Sequence, residues 1–204
     1  MPASLLERAF DPAAASHEDG MMSGRILDGA LAVAAAAGLR NLTMDAVAGR
    51  AGVGRMTVYR HFGDRDRLIE ALSVREARRC IAVLEAAVDP RLELPDRVAE
   101  GFVVAMRIAR EHPLLNRLAR VEPEALVSGL TAEAGAMFGM LRSAAAGWLS
   151  TAGVASASRR ERMADVLVRL CVSFVLFQDP EIEDDAAARR LARELIAPMA
   201  GRLG

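Results

Sequence analysis

The stretch Ala51–Leu68, AGVGRMTVYRHFGDRDRL, gathers Tyr59, the chain's single tyrosine, with four arginines, a threonine and a histidine in eighteen residues. Guanidinium groups and hydroxyls at this density donate hydrogen bonds to anionic oxygens and to base edges, so the chemistry on offer is recognition and not bond-making. The catalytic alternatives lack their parts. His17, His61 and His112 show no metal-ligand spacing. No Gly-rich phosphate loop follows a strand, and no nucleophile sits in a recognisable elbow. Cys80 and Cys171 have neither a CxxC partner nor a nearby histidine, which reads as two reduced thiols packed as small apolar residues, a catalytic or sensing thiol being the alternative. Neither enzyme activity nor a metal or cofactor is expected.

Charge points to an anionic partner through its distribution and not its sum. The formal net charge is −1, yet residues 20–79 carry ten arginines against six acids. All 26 basic residues are arginine, a compositional bias that weakens an argument from any one of them. A hydrophobic share of 52% with only 4% aromatics, in long alanine-rich runs, favours packed helices over sheets. No apolar run approaches the roughly 18 residues of a membrane span. The first twenty residues lack the basic start and apolar stretch of a signal peptide. A cytoplasmic protein that makes no membrane contact is expected, with residues 1–20 as a flexible arm.

The elements that position the motif follow from periodicity. Ile26, Leu27, Ala30, Leu31 and Ala34 mark one face of a helix over Ser23–Ala37, ended by Gly38. Thr43 is placed to cap a short helix over Met44–Ala51, with Asp45 complementing its dipole. Gly52-Val53-Gly54 breaks the chain before a second short helix, Arg55–Phe62, and Gly63-Asp64 precedes a long one, Arg65–Ala87. Two short helices across a three-residue glycine turn are the parts of a helix-turn-helix. Val47, Val53, Val58 and Phe62 supply contacts between them, and Ala48 is small enough to let them approach. Arg55, Met56 and Thr57 then occupy the first turn of the second helix, the end that enters a major groove, with Tyr59, Arg60 and His61 following.

Over RILDGALAVAAAAGLRNLTMDAVAGRAGVGRMTVYRHFGDRDRL, Arg25–Leu68, the chain resembles the DNA-binding domain of TetR-family transcriptional regulators without an insertion. Gly54 stands where that pattern has serine, Arg65 where it has lysine, and Met56 where a smaller residue is common. The resemblance implies an all-α protein: a three-helix helix-turn-helix domain over residues 21–70, joined by a long helix to a ligand-binding and dimerisation bundle over 71–204. It implies that Thr43, Tyr59 and Arg65 reach phosphates, that Arg55 donates to guanine O6 and N7, and that Thr57 meets a thymine methyl or base edge. Arg60 serves either role, and His61 either binds phosphate or packs. The implied function is a ligand-responsive homodimeric repressor on a palindromic operator in double-stranded DNA. A helical small-molecule-binding or protein-interaction module with a vestigial DNA-binding fold is the alternative.

In the second half, prolines punctuate helices expected at Pro95–Glu111, Pro113–Arg120, Glu124–Thr151 with a break near Gly129, Ser158–Gln178 and Asp184–Arg202. The helix over 158–178 is apolar on most sides, so it either packs against a second subunit or is the enclosed centre of a monomer. Dimerisation through it and the 184–202 helix is the expectation. Phe102, Met106, Phe138, Trp148 and Phe174, with Met140, are candidates for a pocket lining, plain core being the favoured reading of each. Such a pocket implies a largely apolar small-molecule effector of unknown identity. Arg107 and Arg142 lie in apolar stretches, where an inward arginine needs an acidic partner or an anionic ligand group, and an outward, solvated placement is the expectation for each; Arg142 is nonetheless included among the candidate ligand contacts.

Overall fold

The computed structural model describes residues 17–131, 136–177 and 182–203. These form helices α1 (His17–Ala37), α2 (Met44–Ala51), α3 (Arg55–Phe62), α4 (Arg65–Ala87), α5 (Leu94–Glu111), α6 (Pro113–Val121), α7 (Pro123–Thr131), α8 (Ala136–Thr151), α9 (Ala157–Leu176), α10 (Asp185–Leu191) and α11 (Ala197–Leu203), with no strand among the described residues. A π-helical turn, Ala192–Ile196, joins α10 to α11. Pro198 has no N–H to return to residue 194, so the wider turn beside it forgoes a bond that proline cannot make. None of the described helices is long and apolar enough to cross a membrane.

The helix expected from Ser23 begins at His17, so the last four residues of the expected arm are helical; residues 1–16 lie outside the described residues. Boundaries for α2, α3 and α4 are those read from the sequence. The long helix expected over Glu124–Thr151 is described as two, α7 and α8, on either side of residues 132–135.

The chain divides into two compact units, Met1–Val74 and Arg75–Gly204. In the first, α1 and α2 pack at a contact only glycine permits: a Cβ on Gly29 would lie 3.0 Å from both the Ala51 Cβ and its backbone nitrogen. Arg25 reinforces this pair by donating to the carbonyls of Ala51 (3.0 Å) and Gly52 (3.4 Å). Ile26, Ala30 and Ala34 of α1, Val47 of α2, Val58 of α3 and Leu68 and Leu72 of α4 are fully enclosed and form the core.

In the second unit α5 is the hub, touching α6, α9, α10, the π turn and α11. Val98, Ala99, Phe102, Val103 and Met106 are buried along it, joined by Leu149, Met163, Ala188 and Ile196. Each large side chain among these contributes about 1.5–3 kcal/mol by leaving water. This corrects one reading of the sequence. The enclosed helix is α5, whereas α9 buries only Met163, Ala164 and Val168 and leaves Val166 and the following Phe177 exposed.

Candidate functional site

Helix α3 is built from its turn outward. Thr43 is extended (φ −119°, ψ 153°) and its Oγ1 accepts from the Ala46 N–H at 3.1 Å, so α2 starts where the sequence places it. At the other end Gly52 is left-handed (φ 65°, ψ 39°) and its N–H returns to the carbonyls of Ala48 and Gly49. A residue with a Cβ is strained there, which is why the turn carries glycine. Gly54 precedes α3 without a side-chain cap, the consequence of glycine in the place of serine.

Val58 is fully buried and fixes the rotation of α3. Arg55, Met56 and Arg60 then face out, with Met56 76% exposed, while Thr57 and Tyr59 are half-buried. Arg55 and Tyr59, one helical turn apart, form a unit: the guanidinium donates to the Tyr59 hydroxyl at 3.3 Å and its carbon lies 5.3 Å from the ring centroid. Asp45 of α2 completes it with an ion pair of 3.1 Å to Arg55. The Tyr59 hydrogen bond, followed by Asp45, holds the Arg55 pKa above its usual value. Asp45 was legible only as a helix-dipole residue. Its role as a bridge between α2 and α3 depends on their crossing.

Two of the sequence-derived phosphate contacts look different in the structure. Arg65 donates through Nε to the Leu42 carbonyl (2.8 Å) and through Nη2 to the Leu39 carbonyl (2.6 Å), with Nη1 beside Asp66. Its guanidinium thus ties the α1–α2 connection to the start of α4 and is not held out for a phosphate. His61 is half-buried, with Nε2 enclosed and without a hydrogen-bond partner among the described residues.

In the second unit an apolar chamber of about 180 Å³ lies between α4, α5, α8 and α9. Phe102 and Trp148 line it, together with Ile81, Leu84, Leu141 and Leu167, and Glu85 is the one charged residue of its lining. Met106 and Phe174 face a second chamber. Phe138 and Arg142 line neither: they sit a turn apart on another face of α8, Phe138 beneath the Arg169 guanidinium (5.0 Å) and Arg142 exposed. The chamber face of α8 is Leu141, Ala144, Ala145 and Trp148, one residue out of step with the face those two occupy. Met140 is core. Burial pushes the Cys171 thiol up to about 12 and, with Glu76 as a lesser cause, the Cys80 thiol to about 11. Raised values favour the thiol over the thiolate at neutral pH.

Three charged features escaped the sequence. Arg97 is 4% exposed, donates to the carbonyl and hydroxyl of Thr151 at the end of α8 (3.0 and 2.7 Å), and stacks on Trp148 at 5.0 Å. Gly101 also packs against Trp148: a Cβ there would come within 3.2 Å of the indole. Glu76, also buried, accepts from Arg75 (2.7 Å) and from His112 Nε2 (3.1 Å). Because the Leu115 N–H donates to His112 Nδ1 at 3.3 Å, the neutral ring carries its proton on Nε2. Finally, Arg107 keeps 39% of its side chain exposed, and the acid it pairs with, which the sequence did not name, is Asp185, shared with Arg110. Among the described residues no group of three or more His, Cys, Asp or Glu side chains is placed to hold a metal.

Residues 26–72 match the family model described as bacterial regulatory proteins, tetR family. The uncharacterized HTH-type transcriptional regulator Rv1255c of Mycobacterium tuberculosis is 25% identical over 180 residues, covering 88% of this chain and 85% of its own. The HTH-type transcriptional regulator AlkX of the same organism is 29% identical over 166 residues, 80% of this chain and 77% of its own. Among solved structures, the TetR family repressor AlkX from Dietzia, implicated in biodegradation of n-alkanes, superposes with a TM-score of 0.66 at 23% identity, covering 88% of this chain and 95% of that one. The last likeness concerns the fold.

Proposed function

Starting from its membership of the TetR family of DNA-binding transcriptional regulators, which are not enzymes, we propose that this chain is a cytoplasmic homodimeric repressor of a palindromic operator, released by a small apolar effector. The observation that carries the DNA reading is the exposed face of α3. Val58 locks the helix while Arg55, braced by Asp45 and Tyr59, and Met56 face outward. In a major groove Arg55 exchanges Asp45 for guanine O6 and N7, Thr57 meets a thymine methyl or base edge, and Met56 contributes apolar contact. Thr43, Tyr59, Arg60 and the N-terminus of α4 anchor the phosphates, with Arg65 holding that terminus in place.

The effector reading rests on the hydrocarbon lining of the first chamber. An effector that prefers the non-binding state lowers operator affinity by its own differential affinity, and the operator weakens the effector reciprocally.

The test is selection from a randomised duplex library with the full-length protein, followed by affinities of the winning site across a salt series. A two-fold-symmetric site is expected. Arg55→Ala relaxes preference at one base pair per half-site by about five- to a hundredfold, whereas Tyr59→Phe weakens all sequences alike. Absence of any enriched sequence at low salt would falsify the reading in favour of a binding module that keeps the fold without the DNA activity.

A further inference from the structure

Beyond the apolar chamber, the second unit holds another of about 320 Å³. Phe102 faces the first and Phe174 the second, and their rings meet edge to face at 5.3 Å and 78°, so this contact is part of the partition. The chemistry differs on the two sides. The second chamber has an apolar wall of Met106, Phe174, Val175 and Ile182, and facing it are Arg110, Asn116 and Arg120.

The cationic side is made of Arg110 and Arg120. Arg110 shares the carboxylate of Asp185 with Arg107, on which Glu111 also acts. Arg110 also donates to the Ile182 carbonyl, and Asn116 Nδ2 donates to the Arg110 carbonyl at 2.9 Å, which sets both residues at the chamber's edge. Arg120 is exposed and has no acidic partner within ion-pair distance among the described residues. Glu183 is the one acid of the lining.

We propose that this chamber is a second ligand site, separate from the apolar effector chamber, which takes a carboxylate with an aliphatic or aromatic body. The carboxylate is bound by Arg120 and Arg110, and the body lies on Phe174, Val175 and Met106. A neutral hydrocarbon leaves the guanidinium groups unmatched, and a bare inorganic anion leaves the apolar wall wet. An organic acid satisfies both.

Octanoate, octan-1-ol and inorganic phosphate are titrated calorimetrically into the full chain and into Arg120→Gln and Arg120→Glu, with Trp148 fluorescence recorded in parallel. Arg120 is at the surface, and circular dichroism confirms that both variants fold. Saturable octanoate binding that weakens with salt, falls by about tenfold or more in Arg120→Gln and further in Arg120→Glu, is the expected result. Octanol binding, read by Trp148 in the first chamber, stays unchanged in both variants. The proposal is overturned by octanoate affinity indifferent to Arg120, by octanoate competing with octanol at the Trp148 chamber, by phosphate displacing octanoate at equal affinity, or by no saturable octanoate binding. Octanol that fails to bind while octanoate binds through Arg120 defeats the apolar-effector reading alone.

Discussion

Arg55 and Arg65 look alike in the sequence, two arginines in one basic stretch, and the fold gives them opposite tasks. Arg55 is exposed and held by an exposed acid and a tyrosine hydroxyl, partners that a base edge can replace. Arg65 donates to main-chain carbonyls more than twenty residues earlier in the chain. Lysine, the residue of the family pattern, has a single ammonium and cannot span two carbonyls in the fork geometry of arginine. Arg65→Ala is therefore expected to destabilise the first unit by about 1–3 kcal/mol, and Arg65→Lys to recover part of that, both read from thermal unfolding without DNA. An unchanged melting temperature in Arg65→Ala sinks the structural role and returns the residue to the phosphates. The candidate recognition residues were legible because a three-residue turn and a buried valine dictate which side chains of an eight-residue helix face out. Partners such as Asp45, and the carbonyls under Arg65, were not, since they depend on how the helices cross.

At the scale of elements, α1 to α4 were legible to within a residue, save the start of α1, because caps and glycines stand at their ends. The closeness of α1 to α2 was not, for a glycine inside a helix reads as a weak position and not as a contact. Two glycines make the distinction testable. Gly29→Ala places a methyl 3.0 Å from the Ala51 Cβ and nitrogen, and forcing the helices apart costs about 1–3 kcal/mol. Gly49→Ala, on α2 with open space around it, gains helix propensity and stabilises by about 0.5–1 kcal/mol. Opposite shifts in the melting temperature are expected; equal shifts refute the close packing. In the second unit α10 is clamped to α5 by Asp185, whose carboxyl is held below the usual carboxylate range, first by the Arg107 hydrogen bond, and by Glu100, lowered chiefly by Arg189. Depressed folded values mean that the stabilisation is complete above the ordinary carboxylate pKa of about 4 and disappears as pH falls through the lower folded value. Thermal stability should thus hold from pH 7 to 5 and drop below about pH 4. Asp185→Asn should lower it at pH 7 and flatten the acid drop; a gap between the two proteins that is the same at pH 3 as at pH 7 rules the clamp out. None of this was readable from sequence, because the paired residues lie on helices more than seventy positions apart.

At the scale of the whole molecule, α9 decides whether one chain is enough. Its sequence is apolar on most sides, which left open an enclosed helix or a shared one, and the structure gives the enclosed place to α5. Val166 of α9, 39% exposed, and Phe177 just after it, 80% exposed, are left outside. Large apolar side chains left so favour a partner surface over water, and a second copy related by a two-fold axis would cover them with the same surface. In the proposed repressor a two-fold dimer would set each α3 on one half-site of a palindromic operator, with the half-sites about one helical turn apart. The double variant Val166→Glu with Phe177→Glu tests the link between the two properties. Sedimentation should show a monomer, and affinity for the full operator should fall by about a hundredfold or more as the second contact ceases to be intramolecular. Affinity for an isolated half-site should be unchanged, and Trp148 should still report ligand in the first chamber, which separates loss of pairing from loss of fold. A variant that stays dimeric with undiminished operator affinity assigns the interface to another face, and a monomer that binds the full operator as tightly as the wild type removes dimerisation from the mechanism of recognition.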